Sequence, residues 1–295
     1  MTKIGRLGYA PNASKLPESS MRLPKPTFFL PLAIGLILLA LVGGALAQPA
    51  ANFEPRVGQS GKDVIWVPTP QALVDQMLSM AKVTASDYVV DLGSGDGRTV
   101  ITAAKLGAKT LGIEFNADMV EVSRRNAAKD GIGEKARFLN GDIFVTDFSD
   151  ATVVTMFLLP SLNIKLRPKL LEMKPGTRLV SNTFNMGDWK PDETANVTQD
   201  CTSYCRALMW IVPATVEGNW QLGQGELFIT QEYQYFRGRM TTGNVVTPIS
   251  DGKLVADQVS FTAGGTKYTG WVKGKTMEGT ARTGGADSRW QASMQ

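Results

Sequence analysis

Val89-Val90-Asp91-Leu92-Gly93-Ser94-Gly95-Asp96-Gly97-Arg98 is the stretch on which the reading of this chain turns. An apolar run of strand length ends in a turn with glycine at alternate positions, and Thr99 to Leu106 then follow a helical pattern. Glycines let the backbone turn sharply and come close to a ligand, and a helix N-terminus presents free N–H groups there. The spacing is Gly-x-Gly-x-Gly. Arg98 stands where a dinucleotide fingerprint needs its third glycine. Asp91, just ahead of the loop, would repel a pyrophosphate and suits a zwitterionic ligand with an ammonium group.

Working outward, acidic residues recur at the ends of the next strands. Thr110 to Glu114 reads as a strand, placing Glu114 23 residues beyond Asp91, where a carboxylate accepts hydrogen bonds from ribose hydroxyls. Arg137-Phe138-Leu139 is a third strand, followed by Gly141-Asp142, whose carboxylate suits an adenine amino group flanked by apolar Ile143. Asn116 is expected to cap the helix through Met119 and Val120, and Ala151 to Leu159 and Thr177 to Ser181 are further strands. Met209 to Val212 reads as the last strand of the sheet. Each carboxylate alone has a bland role as a cap, a turn residue or a solvated strand end. Three on successive strand ends, on the side where such sheets bind ligands, point to a nucleoside site.

The alternation of strand and helix over 64–214 predicts an α/β domain with a Rossmann-like sheet. Residues 216–295 differ: they are glycine-rich, hold one proline (Pro248), and show turn signals at Asp251-Gly252, Gly264-Gly265 and Gly284-Gly285. An all-β meander or small barrel is expected there, with a structural or partner-docking role and too few residues for a ligand cavity. Residues 48–63 read as a linker.

Before the linker, residues 1–47 hold a basic start and an uncharged run, 28–47, ending in small residues ahead of Gln48. This is either a cleaved signal peptide or a membrane anchor. The basic flank places the N-terminal side in the cytoplasm and the remainder in the cell envelope, with membrane contact through 28–47 if it is uncleaved. The alternative is a domain on the cytoplasmic face.

The net charge of +4 calls for no nucleic-acid partner, and none is expected. The chain has no histidine, which excludes His-dependent metal sites and imidazole bases; no metal is expected. Cys201 and Cys205 are the only cysteines, either a disulfide in an oxidising compartment or two plain thiols.

Residues 64 to about 214 resemble class I S-adenosylmethionine-dependent methyltransferases. Val67-Pro68-Thr69-Pro70, the glycine motif, Gly141-Asp142 and Phe157-Leu158-Leu159-Pro160 are similar to a family of lysine methyltransferases. That family includes the mitochondrial enzymes acting on the ATP synthase c-subunit and on the adenine nucleotide translocase. Leu166-Arg167-Pro168, Lys174-Pro175-Gly176 and Val180-Ser181-Asn182-Thr183-Phe184 continue the match. The resemblance implies S-adenosylmethionine as cofactor, held by Asp91, Gly93, Ser94, Gly95, Gly97, Glu114 and Asp142, with Thr69 either at the methionine end or a plain N-cap. It implies a protein lysine as acceptor, with a small-molecule acceptor or a non-catalytic binding module in the envelope as alternatives. The fourth strand lacks the Pro-Pro-aromatic ending of base-amine methyltransferases. Asp188, in the loop Asn185-Met186-Gly187-Asp188-Trp189, is the candidate proton acceptor facing the substrate, and Trp189 either walls an acceptor channel or covers the core.

Overall fold

The computed structural model describes residues 53–295. The expected signal or membrane segment lies outside the described residues.

Two bodies follow one another in this part of the chain. The first is a sheet of seven strands: β1 (Tyr88–Leu92), β2 (Lys109–Glu114), β3 (Ala136–Asn140), β4 (Val153–Met156), β5 (Arg178–Asn182), β6 (Glu193–Asn196) and β7 (Arg206–Ile211). They lie in the order β3-β2-β1-β4-β5-β7-β6. The first five are parallel, and β7 runs antiparallel between β5 and β6. Four helices cover the sheet: α1 (Gln71–Met80), α2 (Arg98–Lys105), α3 (Ala117–Lys129) and α4 (Pro160–Leu171).

Because helices cover both faces, the central strands bury consecutive residues instead of alternating ones. Val89 packs with Leu73, Val74 and Met77 of α1, while Val90 and Leu92 pack with Leu166 and Leu170 of α4. Asn116 caps α3 as expected, its side chain accepting from the Asp118 and Met119 amides. The strand order reverses between β1 and β4, the topological switch point where sheets of this kind bind ligands.

The second body is a closed barrel of eight antiparallel strands: β8 (Gly218–Leu222), β9 (Gly225–Glu232), β10 (Tyr235–Thr242), β11 (Val245–Val255), β12 (Gln258–Ala263), β13 (Thr266–Lys273), β14 (Thr276–Thr283) and β15 (Ala286–Met294). So short a segment yields eight strands because each of its hairpin connections is a two-residue turn. The first turn residue takes a positive φ at Gly243 (56°) and even at Ala256 (55°). Asp251-Gly252, expected as a turn, is instead a bulge inside β11, where a Cβ on Gly252 would stand 2.2 Å from the Phe236 carbonyl oxygen. Trp220, Phe236, Phe261, Met277 and Trp290 fill the interior, so the barrel is a packed core.

The junction is tightly tied. The Gln231 side chain accepts from the Val216 amide and donates to the Ala214 carbonyl. Trp189 is fully buried, stacks on Tyr233 with centroids 5.6 Å apart, and donates its indole N–H to Gln234 at 3.0 Å. It covers the core and does not line the cavity described below.

Candidate functional site

A cavity of about 660 Å³ opens at the C-terminal ends of the parallel strands, within the range of small-molecule sites. Asp91, Gly93, Ser94, Gly95, Glu114, Asp142 and Thr69 all line it. Strand register brings these residues together, since β1 pairs with β2 on one side and β4 on the other.

Asp91 lies opposite Gly112 of β2 and Thr155 of β4. The Thr155 hydroxyl donates to its carboxylate at 2.6 Å. Only 7% of Asp91 is exposed, and burial pushes its pKa up to about 7 against the bond from Thr155, with the neighbouring Glu114 and Asp96 charges acting in the same direction as burial.

Glu114 ends β2 and braces the glycine loop. Its carboxylate accepts the Gly95 amide at 3.0 Å and the Asn116 amide at 2.9 Å. Gly95 has φ 54°, and a Cβ there would lie 2.6 Å from the Trp66 indole nitrogen, so the position needs glycine on both counts. The Ser94 hydroxyl is buried without a hydrogen-bond partner against β2, where a Cβ on Gly112 would lie 2.6 Å from it.

Asp142 accepts the Phe144 amide at 2.9 Å and pairs with Lys62 at 2.7 Å. The hydrogen bond from Lys62, aided by the Phe144 amide, holds its carboxyl below the usual range. The Lys62 ammonium also lies 4.5 Å from the centroid of the Phe115 ring.

Two expectations, for Gly97 and Asp188, are corrected, and for Thr69 one of two alternatives falls away. Gly97 does not line the cavity: it holds the left-handed start of α2 at φ 83°, where a Cβ would meet the Phe138 ring at 2.8 Å, so its role is packing. Thr69 is not the helix cap. Pro70 holds that position without a side-chain bond, and the Thr69 hydroxyl accepts from Asn182 at 3.2 Å. Asp188 stands outside the cavity lining and largely exposed. The Tyr233 hydroxyl and the Arg167 guanidinium occupy its carboxylate and hold its pKa below the usual range, which makes it a poor proton acceptor.

The structure adds residues that the sequence did not single out. From Gln59 onward the segment read as a linker is a wall of the cavity. The Trp66 carbonyl accepts from the Gly58 amide and the Trp66 amide donates to the Gln59 carbonyl, which folds the segment back on itself. Phe157, Phe184 and Tyr204 line the other end. The first two lie in stretches that carry the family resemblance, whereas nothing in the sequence marks Tyr204. Its loop is closed by a disulfide between Cys201 and Cys205.

These features fit S-adenosylmethionine. Carboxylates line a site for a ligand that carries an ammonium and a sulfonium, and glycines let the backbone come close to it.

Residues 91–193 match the model of the ANTKMT methyltransferase domain. The chain is 47% identical over 137 residues to a protein-lysine N-methyltransferase of Saccharolobus islandicus, covering 45% of this chain and 85% of that one. It is 33% identical over 161 residues to the ATP synthase C-subunit lysine N-methyltransferase of Homo sapiens, covering 54% of this chain and 69% of the relative. Among solved structures, an RNA methyltransferase from Salinibacter ruber in complex with S-adenosyl-L-homocysteine is 47% identical, with a TM-score of 0.48, over 51% of this chain and 96% of that one. With the glycine loop and the strand-end carboxylates gathered round one cavity, this protein belongs to the S-adenosylmethionine-dependent methyltransferases, in the family that includes these protein-lysine N-methyltransferases.

Proposed function

We propose that the protein methylates a lysine amine of another protein. The observation that carries this reading is the set of carboxylates from three successive strand ends round one cavity, in a chain whose relatives are lysine methyltransferases. When bound, S-adenosylmethionine supplies a methyl group activated by its sulfonium. In this reading Asp91 faces the ammonium, and Glu114 accepts from the ribose while its own amide bonds keep the glycine loop in place. Asp142 and Ile143 hold the adenine, and Gly93 and Gly95 let the loop backbone approach the ligand closely, while the Gly93 and Ser94 amides are held by the Ile113 carbonyl and that of Gly95 by Glu114. Thr69, tied to Asn182, borders the methionine end. The apolar walls from Phe157 and Leu158 exclude water, so that alignment of the acceptor supplies the acceleration.

The test is to incubate the purified protein and labelled S-adenosylmethionine with a lysate, then separate protein, nucleic acid and small molecules. Methyllysine in the hydrolysed protein fraction is the expected product. Label confined to nucleic acid or to small molecules refutes the reading.

We also propose that the domain works outside the cytoplasm, tethered or released through residues 28–47. The disulfide supports this placement, since such bonds persist in oxidising compartments, and so does the basic flank before the apolar run. The reading demands a supply of cofactor beyond the membrane. Alkylation of intact cells with a thiol reagent should leave both cysteines unmodified until they are reduced; labelling without reduction overturns the placement.

A further inference from the structure

Three aromatic rings meet at the end of the cavity remote from the β2 and β3 strand ends. Phe157 follows β4, Phe184 follows β5, and Tyr204 lies in the connection from β6 to β7. The Phe157 and Tyr204 rings stand edge to face with centroids 5.1 Å apart. Phe184 is 5.9 Å from each of the others, stacked on Phe157 and tilted to Tyr204. The strand order sets them apart from Glu114 and Asp142, which lie on the other side of the switch point. The site is therefore polar and acidic towards β2 and β3, and aromatic towards β4 and β5.

These rings are not core residues. Phe157 and Phe184 are half-buried and Tyr204 is 41% exposed, whereas Trp189, Trp210 and Trp220 are fully buried. The three rings stabilise one another as aromatic pairs, and all three also line the cavity. Their charge environment is also distinct. Among the described residues, Lys or Arg side chains lie over Phe115, Tyr88, Phe144, Tyr233, Phe148 and Phe228, yet over none of these three. The protein thus supplies cations to many of its aromatic faces and leaves this cluster free.

An aromatic face attracts a cation that lies within about 6 Å of its centroid, most strongly when the cation is shielded from water. A methylated ammonium is such a cation, because each added methyl removes an N–H donor and spreads the charge over apolar surface. Tyr204 is held in place by unusual means for an exposed ring. Its backbone lies at φ 55°, and the Cys201–Cys205 disulfide closes the loop round it with Cα atoms 5.8 Å apart.

We infer that Phe157, Phe184 and Tyr204 form the subsite for the alkylammonium head of the methyl acceptor, including its already methylated forms, and that the Cys201–Cys205 disulfide positions Tyr204 to complete it. The inference rests on the cavity being the cofactor site. It implies that an acceptor methylated once is retained for further rounds.

The experiment uses the full chain saturated with S-adenosylhomocysteine, titrated with tetramethylammonium and with tert-butanol, a neutral molecule of similar shape, and followed by ligand-observed NMR. Cation–π attraction of about 0.5–2 kcal/mol predicts a preference for the cation of roughly 2- to 30-fold. Tyr204→Phe should keep that preference. Tyr204→Ala and the Cys201→Ser/Cys205→Ser pair should reduce it several-fold while S-adenosylhomocysteine affinity, read by calorimetry, stays unchanged. Tyr204 is exposed, so its truncation spares the core. Equal binding of the two probes, or a preference untouched in Tyr204→Ala, overturns the subsite while leaving the cofactor reading intact. Failure of the wild-type protein to bind S-adenosylhomocysteine would instead overturn the cofactor reading, and the subsite with it.

Discussion

Asp91 is enclosed between β2 and β4, and its proton is retained to about pH 7 because burial disfavours the charge. Between about pH 4 and pH 7 the folded protein holds a proton that the unfolded chain has released. Stability contributed by this residue therefore falls as pH rises across that window and levels off above it. Asp91→Asn should remove the slope, leaving thermal stability near pH 4 about unchanged and raising the midpoint at pH 8 by on the order of 5 °C. The same change should weaken S-adenosylmethionine binding about ten- to hundred-fold, since a charge-assisted bond to the ammonium is lost. Wild-type affinity should rise with pH through about 7, and scanning calorimetry with a binding titration at three pH values checks both halves. A variant less stable than wild type at pH 8 would show that the carboxylate is not the strained group.

The same scale shows what the sequence disclosed. The gathering of Asp91, Glu114 and Asp142 round one cavity was legible because all three stand at or just after the ends of successive strands in an α/β alternation. Gly97 was misjudged because its place in the motif says nothing of Phe138, 41 residues away, which crowds it. Asp188 was misjudged for a similar reason: its partners Arg167 and Tyr233 come from α4 and from the barrel, and no local pattern reveals them.

At the scale of elements, the folded-back segment from Gly58 to Trp66 carries the Lys62 ammonium onto both Asp142 and Phe115. Asp142 is assigned to the adenine of the ligand, so the segment competes with it. Lys62→Ala should speed association of S-adenosylhomocysteine and flatten its dependence on salt. Water and salt screen a pair as exposed as this one, which limits the gain to roughly a few-fold. Stopped-flow fluorescence can follow it, because Trp66 lines the cavity. An unchanged rate at every salt concentration would mean that Lys62 does not guard the entrance. The composition of 48–63 gave no sign of this role. Its backbone is ordered by a few hydrogen bonds and by the Trp66 ring against Gly95, not by any periodic pattern. β6 escaped notice likewise, being four residues long and mostly exposed. The buried parallel strands and the barrel turns, by contrast, declare themselves through apolar runs and paired glycines.

For the whole molecule, the closed barrel has a consequence for how the chain is made. β8 and β15 join first strand to last: Trp220 lies opposite Met294, and the Gln295 amide donates to the Asn219 carbonyl. On the ribosome, or emerging from an export channel N-terminus first, β8 has to wait for β15 before its second edge is satisfied. The strands of the α/β sheet have all been delivered by then. Assembly should thus run in two beats, with local hairpins from two-residue turns forming quickly and the ring shutting last, because joining its ends closes a loop of about seventy residues. In pulsed hydrogen exchange during refolding, amides of the β8–β15 ladder should gain protection after those of β1 and β4. Until then Trp220 and its neighbours form an open, sticky sheet, and in that interval the newly made protein is most in need of a chaperone.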